Sequence, residues 1–117
     1  MKIQIDTDEL KAIIDYLQNN PQTEYTPHPQ YSNKIYRVLE SLNYDDNYLT
    51  KYPTIENKEI SKMTLNDLKV MFTFIIRGER FCDGHIANYV KNGTLLALAQ
   101  RELQLISKRN VLSCKNK

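Results

Sequence analysis

The sequence predicts an all-α domain: a compact bundle of five to six helices around one central buried helix at about residues 64–81. Three observations predict it. Apolar residues recur at helical spacing in each run long enough to show a period. Residues able to cap a helix stand directly before these runs, among them Asp6, Thr64, Asp83 and Thr94. The one stretch that alternates in strand fashion, Met1 to Ile5, has no second stretch to pair with and reads as an extended lead-in. With 117 residues and 41% apolar content, the chain is expected to form a single domain, 1–117, able to bury a core without staples.

Taken in order, Asp6-Thr7-Asp8-Glu9 is a capping box, and Leu10, Ile13, Ile14 and Leu17 make one stripe, so a peripheral helix is expected over 7–19. Residues 20–30, NPQTEYTPHPQ, hold three prolines and no apolar period, which predicts a surface loop with His28 solvated. Tyr31, Ile35, Val38, Leu39 and Leu42 define a second amphipathic helix, 30–43. Tyr44, Tyr48 and Tyr52 follow at intervals of four, which would align three phenols on a short helix ending before Pro53. Their rings are expected to pack with hydroxyls in water, the sharper alternative being an aromatic platform. Thr54 to Lys62 is polar and leads the chain to the core.

Thr64 and Asp67 then form a T-x-x-D capping box. Advancing about 100° per residue, Asn66, Lys69, Thr73, Arg77 and Arg80 share one narrow polar arc, and apolar residues from Leu65 to Phe81 cover the rest. The run is too charged at its ends, and too short, for a membrane span, which needs about 20 apolar residues. Glu79 breaks the pattern, projecting between Leu68 and Ile76, and Glu102 does the same among Leu95, Leu98, Leu105 and Ile106. A carboxylate on an apolar face requires a cation or several donors. A structural ionic network of Glu79, Glu102 and Arg101 is therefore expected, with Arg80 and His85 as further partners for Glu79. Asp83 is the expected N-cap of a short helix ending at about Lys91, closed by Asn92-Gly93. Thr94 opens a helix over 94–108, and the basic tail 109–117 is expected to fray.

The stretch IIRGERFCDGHIANYVKNGTLLAL resembles the signature of a family of small bacterial proteins and C-terminal domains of unknown function, marked by an R-G-E-R-F-C-D-G core and a glycine-closed short helix. The resemblance extends from about Ile35 to Leu105. It implies membership and carries over no activity, cofactor or catalytic residue.

Sixteen basic against fourteen acidic residues leave +2, too balanced to argue for nucleic acid or an anionic surface from bulk charge. Two cysteines and no leader pattern at the amino terminus point to reduced thiols in a cytoplasm. The 77–85 turn is the one credible site. Arg77, Arg80, Asp83 and His85 are its ligand-binding candidates, suited to a small anion. Catalysis would use Cys82 as nucleophile, His85 as base and Glu79 or Asp83 as orienter. The same C-x-x-H pair supplies two metal ligands at most, so neither metal nor cofactor is expected. Lys69, Arg77 and Arg80 could contact phosphates, but the apolar first turns of helix 94–108 do not suit a DNA-recognition helix. The sequence thus favours a cytoplasmic binding or regulatory module over an enzyme. Its expected ligand is a protein partner, a second copy or a small anion, with nucleic-acid binding as one alternative, Cys82/His85 enzyme chemistry as another, and no membrane.

Overall fold

The computed structural model describes residues 3–19 and 31–115, with side chains as far as Lys108. The expected loop at 20–30 with His28, and the side chains of the basic tail from Arg109 onward with Cys114, lie outside the described residues. Among those residues the fold is all-helical: α1 Thr7–Asn19, α2 Asn33–Leu39, α3 Tyr48–Ile55, α4 Leu65–Gly78, α5 His85–Lys91 and α6 Thr94–Lys115, with one 3-10 turn at Ile60–Lys62. Among the described residues no helix is long and apolar enough to cross a membrane.

Three of the starts have a side-chain cap. The Asp6 carboxylate accepts from Glu9 N–H at 2.7 Å ahead of α1. The Ser32 hydroxyl accepts from Lys34 N–H ahead of α2. Thr64 and Asp67 exchange side-chain and backbone bonds at the head of α4. The four donors that open a helix have no partner within it, so these acceptors are what allow the chain to turn there. α4 is the hub, packed against α2, α3, α5 and α6, while α1 lies against α6 and α2. Fully buried Leu68, Phe72 and Ile75 of α4 meet Leu10, Leu39, Ile86 and Leu98 in a single core.

Several bounds differ from those expected, for identifiable reasons. α2 stops at Leu39 and turns, because Ser41 is buried and Asn43 takes a left-handed φ of 64°. α3 begins at Tyr48, so Tyr44 lies outside it, and the helix runs through Pro53. At that exposed position the missing N–H leaves only one carbonyl to water. α4 ends at Gly78, so Phe81 is no core residue: it is 86% exposed. α5 is capped by Gly84, whose φ of 88° an L side chain would strain, rather than by Asp83. α6 continues well past 108, to Lys115.

Candidate functional site

The C-terminal end of α4 is where the sequence concentrates its polar residues, and two different constructions meet there. The first is an internal clasp. After Gly78 the chain reverses, with Phe81 and Cys82 both donating their N–H to the Gly78 carbonyl. The reversal swings Glu79 back onto the start of α5. Its Oε2 accepts from Gly84 N–H at 2.9 Å, and its Oε1 accepts from Ile86 N–H at 2.9 Å and from the Tyr31 hydroxyl at 3.0 Å. The Tyr31 oxygen in turn accepts from Ala87 N–H at 3.3 Å. Burial and the neighbouring carboxylate push the Tyr31 phenol well above its ordinary pKa, so it stays a donor. The first turn of α5 is thereby filled by the chain's own carboxylate.

His85 points inward from that turn. Its ring meets Phe74 at 5.3 Å and Tyr89 at 5.1 Å, edge to face, and occupies the space that a side chain on Gly78 would need. Burial lowers its pKa, against the opposing pull of Glu79 and a hydrogen bond with the Phe74 backbone. Its Nε2 is buried with no hydrogen-bond partner. Cys82 faces the other way: it is exposed, its thiol 3.9 Å from the Asp83 carbonyl. Thiol and imidazole therefore form no nucleophile–base pair. No three His, Cys, Asp or Glu side chains among the described residues gather as metal ligands.

The second construction lies along the polar arc of α4, where Thr73 is covered and Arg77 partly so, while Asn66 and Arg80 stay exposed. α3 runs antiparallel to α4, as Tyr52 stacked on Phe74 at 3.7 Å and Lys58 paired with Asp67 at 2.8 Å require. Its entry segment lies over the arc. Buried Thr73 donates its hydroxyl to the Lys69 carbonyl and accepts from Asp45 N–H. The Arg77 guanidinium stands 5.1 Å from the Tyr44 ring centre and 5.4 Å from that of Tyr48, with Asp46 at 3.5 Å. Two of the three tyrosines thus hold an arginine by cation–π contact, and the third stacks on Phe74.

The expected ionic network is replaced by separate contacts. Among the described residues no ion pair includes Glu79 or Glu102. Arg101 donates to the Met63 carbonyl and to Gln104. Glu102 is fully buried against Ser41, and burial pushes its carboxyl up to about 7. Of the ligand-binding candidates, Arg77 is held by its neighbours and His85 is turned inward, while Arg80 is exposed and makes no ion pair with a described residue. Asp83 is also exposed.

Among the described residues, three large hydrophobic side chains stand in solvent: Phe81 at 86%, Leu49 at 68% and Tyr44 at 40%. All three belong to the segments that meet at this end of α4. Leu49 and Tyr44 were not singled out as site residues from sequence, although Tyr44 belonged to a recognisable tyrosine series. The only sequence signal for Leu49 is an apolar residue off the buried stripe of α3.

No curated protein and no solved structure matches the chain. A family model does, over residues 3–108, so the match begins at the lead-in rather than at Ile35. That extent agrees with the packing, since α1 lies directly against α6. The chain belongs to the family of unknown function DUF6508.

Proposed function

We propose that this protein is a binding module whose C-terminal end of α4 docks a folded protein partner, with Phe81 as anchor and Arg80, Tyr44 and Leu49 around it. The observation that carries this reading is that Phe81, Leu49 and Tyr44, the exposed large hydrophobics among the described residues, belong to the segments joined at the end of α4 through Arg77 and its contacts with Tyr44 and Tyr48. Covering a phenylalanine side chain returns about 1.5–3 kcal/mol, and aromatic residues with arginine are the side chains that most often dominate protein interfaces. The partner surface that fits is an apolar pocket with carboxylate or carbonyl oxygens at its rim, placed to receive the Arg80 guanidinium. The exposed Cys82 thiol suits a reducing compartment, in keeping with a cytoplasmic, bacterial setting.

Other ligands fit the geometry less well. A small anion would have to displace Glu79 from the first turn of α5, and Arg77 is already occupied by two rings and Asp46. A nucleic-acid strand would meet Asp45, Asp46 and Asp83 on the same segments as Arg77 and Arg80, which cancels much of the attraction for phosphate. Nucleophilic catalysis lacks its base, because His85 is turned into the ring cluster.

The test is quantitative affinity capture with the wild-type chain, followed by calorimetry on the purified binary pair. A Phe81→Ala chain should bind that partner at least about tenfold more weakly, a loss of roughly 1.4 kcal/mol, with its melting temperature unchanged. A partner bound equally well by the Phe81→Ala chain overturns the docking surface. Salt-dependent retention on single-stranded nucleic acid, lost in the Arg77→Ala, Arg80→Ala double variant while helicity is kept, would replace it with the phosphate-binding alternative.

A further inference from the structure

The core holds one acid whose hydrogen bonds can be satisfied in only one protonation state. Glu102 is 0% exposed, its Oε2 lies 2.7 Å from the Ser41 hydroxyl oxygen, and its Oε1 has no hydrogen-bond partner. The same Ser41 oxygen lies 2.7 Å from the Val38 carbonyl oxygen. A serine hydroxyl has a single proton to give. A carbonyl has none, so Ser41 must donate to Val38. The equally short contact with Glu102 then needs a proton of its own, which only the carboxyl can supply. With Glu102 as O–H donor, the series Glu102 to Ser41 to Val38 is complete. The remaining Oε1 is then the carbonyl oxygen of a neutral acid, which is far cheaper to leave unpaired than half of a carboxylate.

Apart from the Ser41 hydrogen bond, whose pull toward the charged form is smaller than the effect of burial, nothing around the acid favours ionisation. The buried side chains of α1, α2 and α5 are all apolar, and so are those of α4 apart from Thr73. The Thr73 hydroxyl is spent on Lys69 and Asp45. The 3-10 turn at Ile60–Lys62 contributes no buried residue, and Arg101, next to Glu102 in α6, is directed to Met63 and Gln104. Among the described residues no charged side chain acts on the Glu102 carboxyl, and the Ser41 hydroxyl is the one side chain that does. Ser41 is also a junction, since its carbonyl accepts the Gln4 N–H of the lead-in at 2.7 Å.

We propose that Glu102 is a proton-operated latch: as a neutral acid it donates to Ser41 and holds α6 against the end of α2 and the lead-in, and on losing its proton it releases them. This is independent of the docking surface. The pKa of about 7, displaced upward by burial, puts the release in the neutral range. Because the folded value lies above the ordinary 4.5, the stabilisation is complete below about pH 4.5 and is lost as pH rises through about 7.

The test is a carbon-13 NMR titration of the glutamate carboxyls in the full chain, combined with hydrogen exchange at the Gln4 amide in wild type and Glu102→Gln. Glutamine keeps the shape of the neutral acid and donates from its amide to Ser41. The Glu102 carboxyl carbon should titrate near neutrality, while exposed glutamates titrate at about 4.3. Gln4 protection, corrected for intrinsic exchange, should fall at least about fivefold between roughly pH 6 and pH 8 in wild type and stay level in Glu102→Gln. A Glu102 carbon titrating in the ordinary carboxylate range overturns the proposal, as does Gln4 protection that follows pH equally in both chains. If Glu102→Gln does not fold, the wild-type carbon titration alone decides.

Discussion

Glu79 and Glu102 both break an apolar period in the sequence, and the protein accommodates them in opposite ways. Glu79 sits where a helix begins, so two backbone N–H groups and a phenol are aimed at it, and it serves as the missing cap of α5. Glu102 sits in mid-helix, where the backbone offers no free donor, and its one partner is a serine already committed elsewhere. The difference teaches that burial alone does not decide whether a carboxyl needs a cation. Supply of donors decides it, and helix starts supply them while helix interiors do not.

Removing the well-supplied acid should have the largest effect. Glu79→Ala leaves the N–H groups of Gly84 and Ile86 and the Tyr31 hydroxyl without their acceptor, at a cost of about 4 kcal/mol, read from urea denaturation. Glu79→Gln keeps one acceptor oxygen and turns a donor toward the other site, so it should lose roughly half as much. If either variant melts like wild type, the clasp is not what holds α5 to α4. The poorly supplied acid should show itself through pH instead. Wild-type stability should drop by about 3 kcal/mol between roughly pH 4.5 and pH 7, and Glu102→Gln should remove that slope. A slope that persists in Glu102→Gln would assign the titration elsewhere and erase the contrast.

Between these two acids lies a contact that neither could predict. The His85 ring fills the space beside the Gly78 Cα, against Phe74 and Tyr89. Gly78→Ala should gain up to about 1 kcal/mol of helix propensity yet lose more by driving the ring out. A net loss of about 2 kcal/mol is expected, with the His85 pKa rising toward its ordinary value as the ring meets water. Histidine proton shifts would report it, and an unchanged titration would mean that the ring has somewhere else to go.

These cases also mark how much the chain discloses before it folds. The helices were legible because α1 and α4 carry uninterrupted 3.6-residue stripes and side-chain caps at Asp6 and Thr64, both of which are local signals. Glu79 and Glu102 were legible as anomalies for the same reason. Their partners were not. Tyr31 is 48 residues from Glu79 and Ser41 is 61 from Glu102, and charge pairing suggested Arg101 because sequence displays side-chain charge and hides free backbone donors. The end of α4 was misplaced for a related reason. An apolar period continues through Phe81, but the Glu79 carboxylate is held at the head of α5, and that closure stops α4 three residues earlier. The cover on the polar arc was hidden for the same reason: nothing local shows that the segment from Tyr44 to Tyr48 is laid across Thr73 and Arg77.

The smallest effect expected is the one that bears most directly on function. Glu79 and Phe81 are two residues apart in one turn, yet the first is held by three donors and the second is 86% exposed. Phe81→Ala should therefore change the unfolding free energy by no more than about 0.5 kcal/mol, against the several lost in Glu79→Ala. A loss of about 2 kcal/mol would mean that the ring is packed in solution, and the docking surface would lose its anchor. With stability unmoved, the clasp and the anchor become separable parts of one turn: Glu79 fixes the backbone, and that fixed backbone holds Phe81 outward at little conformational cost when a partner binds.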